Sequence, residues 1–157
     1  MRSFVVAKVI VMNAAGQMLA LRRSKTDERR PGQWDFPGGH TDPGEDIMEA
    51  ALRETREEAG IELPYADLKF ALSEVTDFGS GTWAVFVAHV PDGTAITLSH
   101  EHDEYRWMTP DQFLLNVIYE RQKRIISYLR DNDLLAPDTR GDQADAGKLE
   151  NKDKSAA

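Results

Sequence analysis

The sequence contains no cysteine. That excludes disulfides, thiolate metal sites and a cysteine nucleophile together. Nor does any apolar run approach the roughly 18 residues a membrane span needs. The stretch from Met1 to Met12 is apolar, but Lys8 splits it and no small-residue cleavage site follows, so it reads as a buried strand and not as a signal peptide. A cytoplasmic chain with no membrane partner is expected. Positive charge is also in deficit: 19 Lys and Arg stand against 27 Asp and Glu, a net charge of −8. Such a surface is poorly suited to displacing counterions from a nucleic-acid backbone, so no nucleic-acid polymer is expected as a partner. A small phosphate ligand stays compatible, because a cation or a local basic loop reverses the sign where it matters.

The rest of the composition is that of a globular domain, with 41% hydrophobic and 29% charged residues in 157. Residues 1–136 read as one folded domain, a monomer or homodimer. From Pro137 to Ala157 there is a single Leu among Asp, Gly, Lys and Ala, a composition that cannot bury itself and reads as a disordered tail. No repeat recurs at a period of 20 to 50 residues.

Within the domain, Phe4–Met12 and Gln17–Arg23 read as strands joined by the loop Asn13-Ala-Ala-Gly16. The basic stretch Ser24–Gly32 is a loop by composition, and Trp34–Phe36 is a short extended piece stopped by Pro37-Gly-Gly39. A helix is predicted next, with Asp42 as cap, Pro43 at its first position, Glu45 completing a capping box and Gly60 ending it. Strand-like runs follow at Lys69–Phe78, Thr82–Val90, Ala95–Leu98 and Tyr105–Met108. Thr109-Pro110-Asp111 opens a second helical region that the pattern Ile118, Arg121, Ile125, Ile126, Leu129 carries to about Leu134.

The chemistry concentrates in the first helix. On a wheel of about 100° per residue, Met48, Leu52, Thr55 and Ala59 form one stripe. Ile47, Ala50 and Ala51 form a second, and Glu54, Glu57 and Glu58 extend it. Like charges at this spacing repel, so a solvated acidic face is the ordinary reading of such a run. Here the carboxylates continue a stripe that begins apolar, which points them inward. Hard oxygen donors gathered in a cleft are what Mg²⁺ or Mn²⁺ binds.

The segment Gly39–Ile61 resembles the Nudix box, G-x5-E-x7-R-E-U-x-E-E-x-G-U with U a bulky apolar residue. Gly39, Glu45, Arg53, Glu54, Glu57, Glu58, Gly60 and Ile61 match, and Thr55 departs where the family prefers an aliphatic side chain. Seven invariant positions at about 7% usage each make a chance match roughly 10⁻⁶ over the chain. With Phe36-Pro-Gly-Gly39 ahead of the box, the likeness extends over roughly residues 1–134.

The resemblance implies an α/β/α sandwich around a mixed central sheet, and Mg²⁺-dependent hydrolysis of a nucleoside diphosphate linked to another group. It implies metal ligands at Glu54, Glu57, Glu58 and the backbone of Gly39, with Arg53 and Glu45 orienting them. Glu54 is one candidate base. An additional metal-binding or catalytic acid is expected just before Trp107, with Glu104 taken ahead of Glu101. The run His100-Glu-His-Asp-Glu104 also invites a zinc reading through His100 and His102, but no third His or Cys stands at metal spacing and an exposed polar loop is expected. His89, inside an apolar strand, reads as a packed or surface histidine. Arg22, Arg23, Lys25, Arg29 and Arg30 form a basic cluster that suits substrate phosphates, Arg23 and Lys25 foremost. Trp34, Phe78 and Trp83 offer aromatic faces for a base, Trp34 foremost, though core packing is the favoured role for each. A small nucleotide is the expected partner, a nucleoside triphosphate first. ADP-ribose, dinucleoside polyphosphates and nucleotide sugars are alternatives, as is a non-catalytic nucleotide sensor. A prenyl-diphosphate isomerase of this fold needs a cysteine that the chain lacks.

Overall fold

The computed structural model describes residues 3–76 and 79–137. Phe78 and the predicted tail beyond Pro137 lie outside these residues. Seven strands form one mixed sheet: β1 Phe4–Met12, β2 Met18–Arg23, β3 Trp34–Asp35, β4 Gly38–His40, β5 Lys69–Val75, β6 Gly81–His89 and β7 His102–Met108. Three helices, α1 Ile47–Ala59, α2 Pro110–Asn116 and α3 Glu120–Asp131, complete the described fold.

β1 is apolar on both faces because both are covered. Val6, Ile10 and Met12 pack with Met18, Ala20, Phe36, Phe113 of α2 and Ile125, Ile126 and Leu129 of α3. Ala7, Val9 and Val11 pack with Leu19, Leu21 and Ala50, Ala51 and Ala59 of α1. Strand alternation therefore makes two cores, one on each side of a single sheet, which is the α/β/α sandwich. Each fully buried Leu, Ile or Phe side chain contributes about 1.5–3 kcal/mol.

The sheet opens where the site lies. β1 pairs with β6 in parallel along its whole length, so its other edge carries β2 at one end, through Met12 and Met18, and β4 at the other, through Val6–Lys8. β7 runs along β2, while β3 pairs with Leu21 and Arg22. β3 and β4 thus fill the wedge between β1 and β2 as these diverge from their hairpin.

Several local expectations change. Pro37-Gly-Gly39 does not stop the chain: Gly38–His40 is itself a strand against β1. α1 begins a turn later than the capping residues suggest. Asp42-Pro43-Gly44-Glu45 is a tight turn, with Glu45 N–H donating to the Asp42 carbonyl at 3.1 Å and Gly44 at φ 80°, a conformation outside the helix. Asp46 is the true cap, and it makes the capping box with Glu49. The buried face of α1 runs through Ala50, Ala51, Thr55, Glu58 and Ala59, between the two predicted stripes, and leaves Ile47 exposed. Thr55 is fully buried by donating its hydroxyl to the Ala51 carbonyl at 2.8 Å, which explains how a polar residue occupies an apolar position. Residues 95–98 form no strand; Thr97 instead donates its N–H to the Ala59 carbonyl at the end of α1. The second helical region breaks at Val117, which is buried in extended conformation between α2 and α3 and leaves Ile118 exposed.

Candidate active site

Two glycines let the sheet approach the helix. At Gly38, φ is 139°, and an added Cβ would collide with the Ala7 carbonyl on β1. At Gly39 a Cβ would stand 2.8 Å from the Glu54 carboxyl carbon, so a bare backbone is what admits that side chain. Gly38 N–H donates to Glu58 Oε2 at 2.9 Å. The pair of glycines therefore seats Glu54 and Glu58 against β4. Glu57 sits apart, its side chain 54% exposed.

Arg53 ties the helix to the loop before it. Its guanidinium donates through Nε and Nη2 to both Glu45 oxygens, at 2.7 and 3.0 Å, and through Nη2 to the His40 carbonyl at 3.1 Å. Nη1 reaches Glu54 at 2.9 Å and Glu57 at 3.1 Å. The Arg53 bonds, helped by the Asp42 N–H, hold the Glu45 carboxyl down at about 2. One planar fork thereby orients three of the box glutamates, Glu45, Glu54 and Glu57.

A third group arrives from β7. Glu58, Glu101 and His102 each offer a ligand atom, and these atoms lie within 4.8 Å of one another. Burial pushes Glu58 up to about 8, against the opposing pull of Lys8 and the Gly38 N–H, with Glu54 and Glu101 adding repulsion. Burial and the nearby cations Arg23 and Lys8 push His102 down to about 4, so the ring is neutral at pH 7. Its Nδ1 is buried without a hydrogen-bond partner. A carboxylate raised by burial, a second acid beside it and an unpartnered imidazole nitrogen are a donor set that suits a divalent cation.

On its other side, β4 borders a cavity of about 570 Å³ whose lining includes Gly38, Gly39, Lys8, Trp83, Arg23, Arg29, Arg30 and Arg121. Lys8 is 4% exposed and pairs with Asp35 at 3.3 Å. Arg30 lies 5.0 Å from the Tyr119 ring centre and Arg121 5.1 Å from that of Trp83. A larger cavity of about 790 Å³ lies elsewhere, between Asp67–Ala71 and the segment ending at Pro137, and contains no box residue.

The predicted residues divide accordingly. Glu54, Glu58, Gly39 and Arg53 come together, and Arg23 lines the adjoining cleft. Glu104 does not reach them: it pairs with Arg22 at 2.8 Å and Arg106 at 2.7 Å, and Glu101 stands at Glu58 instead. The cause is a bulge. Arg22 pairs with Glu104 but Arg23 with His102, so Asp103 is the extra residue and the alternation of β7 is broken there. His102 and Glu101 turn towards α1, and the expected exposed loop is partly a buried strand. Trp34 is also displaced from the cleft, lying between Arg22 and Arg106 at 6.0 and 5.3 Å from its ring centre, while Lys25 is exposed and outside the lining. Trp83, read as core, is core and cleft wall at once. His89 is tied down, its Nε2 lying 3.0 Å from the Leu135 carbonyl. Sequence reasoning missed Lys8 and Arg121 as cleft residues. A lysine inside an otherwise unbroken apolar strand was the available signal for the first.

The NUDIX domain model matches residues 2–129. The chain belongs to the Nudix family. Members of this family are pyrophosphohydrolases that use divalent metal and act on small nucleotides. The chain is 42% identical over 80 residues to the asymmetrical bis(5'-nucleosyl)-tetraphosphatase of Mus musculus, an alignment covering 48% of this chain and 54% of that protein. It thus spans about half the length of that relative. It is 30% identical over 114 residues to the CTP pyrophosphohydrolase of Escherichia coli K12, covering 73% and 82%. Among solved Nudix structures, a C. elegans Ap4A hydrolase complex superimposes with a TM-score of 0.66 at 26% identity, over 80% of this chain and 96% of that one. A MutT protein from Methanosarcina mazei gives 0.68 at 25% identity, over 86% and 97%. No described helix is long and apolar enough to cross a membrane.

Proposed function

We propose that the chain is a Mg²⁺-dependent pyrophosphohydrolase acting on a nucleoside triphosphate. The observation that carries this reading is the shared wall: the bare backbone of Gly38–Gly39 has box carboxylates on one side and an arginine-lined cleft on the other. Glu54, Glu57, Glu58 and Glu101, with the Gly39 backbone, are the proposed metal ligands. A bound divalent cation absorbs charge on phosphoryl oxygens and acidifies a coordinated water. The protein's own share is positioning. Arg23, Arg29, Arg30 and Arg121 hold the phosphate run, because guanidinium forks match phosphate oxygens bidentately. Arg53 keeps Glu54 and Glu57 in place, and Glu54 is the candidate base.

The cleft volume lies within the roughly 300–1,000 Å³ of small-molecule sites. The CTP pyrophosphohydrolase relative, aligned over most of its length, supports the triphosphate. The tetraphosphatase relative, aligned over half of its length at higher identity, supports a dinucleoside polyphosphate as the second reading. The deciding experiment incubates purified protein with Mg²⁺ and each substrate class, with and without EDTA, and separates the products by chromatography. A triphosphate yielding monophosphate and pyrophosphate is the expected result. A dinucleoside tetraphosphate yielding ATP and AMP would establish the second reading. Nucleotide binding without turnover of any substrate would sink both and leave a sensor.

A further inference from the structure

The proposed metal site, read by its family resemblance, is made of carboxylates and backbone. The structure adds a different donor. His102 is 7% exposed, lies within the 4.8 Å group formed with Glu58 and Glu101, and has a buried Nδ1 with no partner. Buried polar nitrogens are ordinarily hydrogen-bonded, so an orphan on a ring grouped with two acids leaves a place for a bound species. The ligand atoms grouped with the ring belong to two carboxylates, which favour a cation over an anion. They suit a cation with open coordination positions. The β7 bulge at Asp103 is what turns the ring there, and bulges characteristically re-aim side chains beside active sites.

We infer that His102 supplies an imidazole nitrogen to the divalent-cation site it shares with Glu58 and Glu101, tuning that site towards Mn²⁺ or Co²⁺ over Mg²⁺. The inference rests on the proposed metal-dependent reading and deepens it. Imidazole is a borderline donor, whereas Mg²⁺ demands hard oxygen and gives up its waters reluctantly. One nitrogen among oxygens therefore strengthens binding of the later divalent metals and does little for Mg²⁺.

The test reads the bound metal directly. Mn²⁺ is titrated into the full chain and followed by EPR, and electron spin-echo modulation of the loaded protein in frozen solution reports nitrogen coupled to the metal. The expected result is ¹⁴N modulation in the native chain, replaced by ¹⁵N coupling when histidine is ¹⁵N-labelled and absent in His102→Gln. The ratio of Mn²⁺ to Mg²⁺ affinity falls about tenfold or more in the same variant. If His102→Gln does not fold, His40→Gln, His89→Gln and His100→Gln decide by elimination, since each must keep the coupling. Bound Mn²⁺ without nitrogen coupling, or coupling lost with any other histidine, overturns the inference while leaving the carboxylate site standing. Failure of the native chain to bind Mn²⁺ at all overturns both.

Discussion

Lys8 and Glu58 are the two side chains whose burial is hardest to reconcile with their charge. Lys8 stands in a strand with hydrophobic neighbours, held by Asp35 at 3.3 Å and by the faces of Phe36 and Trp83 at 5.3 and 5.5 Å. Removing one member of a buried ion pair leaves the other charge without compensation, at a cost of about 3–5 kcal/mol. Lys8→Met should lose stability on that scale in urea unfolding, and Lys8→Met combined with Asp35→Asn should recover part of it. Glu58 predicts a pH dependence. Its folded value of about 8 lies above the ordinary carboxylate value of 4.5, so the folded state holds the proton more tightly than the unfolded chain. Stability from this group is complete below about 4.5 and is lost as pH rises through about 8. His102, depressed from 6.5 to about 4, acts in the opposite sense between those values, leaving pH 6.5 to 8 as the window in which Glu58 dominates. Metal-free protein should therefore lose Tm across that window, and Glu58→Gln should flatten the slope while abolishing metal-dependent turnover. An unchanged slope in the variant would show that another group titrates there.

At the scale of elements, α1 is a positioning device with separable parts. Its start depends on the Asp46–Glu49 capping box, remote from the carboxylates at its far end. Asp46→Ala should cost about 1 kcal/mol, and about 2–4 °C in Tm for a chain of this size, with kcat nearly kept. Gly39→Ala should behave the other way. The new Cβ would press on the Glu54 carboxylate at 2.8 Å, so activity should fall by an order of magnitude or more for a modest loss of Tm. The sequence marked this helix well and its start poorly. Its body is written in local periodicity, but Asp42 and Asp46 are both competent caps, and only the tight turn at Gly44 decides between them. The strand β4 was illegible for a related reason: Pro-Gly-Gly is turn composition, and only the open edge of β1 makes it a strand.

For the whole molecule, the proposed polyanionic substrate would meet a local reversal of sign in an acidic chain, since five cations outnumber Asp27, Glu28 and Asp35 in the cleft lining. The cleft gathers Lys8, Arg23, Arg29, Arg30 and Arg121 from β1, β2, the following loop and α3, although the chain carries a net charge of −8. Arg30→Ala and Arg121→Ala should each raise KM for the substrate, with effects that shrink at high salt because screening weakens the same attraction in the native chain. Divalent metal should stabilise the folded chain by about 2.7 kcal/mol at a hundredfold excess over Kd, read as a rise in Tm that EDTA reverses. By itself the sequence determined the chemistry of α1, since a helix of 3.6 residues per turn puts Glu54 and Glu58 on adjoining positions whatever else the chain does, and the spacing of the box identified the family. Only the tertiary structure decided which acid and which histidine stand beside Glu58. Glu101, His102 and Glu104 are neighbours of similar polarity, and nothing local ranks them. The register of β7 on β2, with its extra residue at Asp103, turns two towards α1 and one away, because strand register is set by packing across the sheet and not by composition along it.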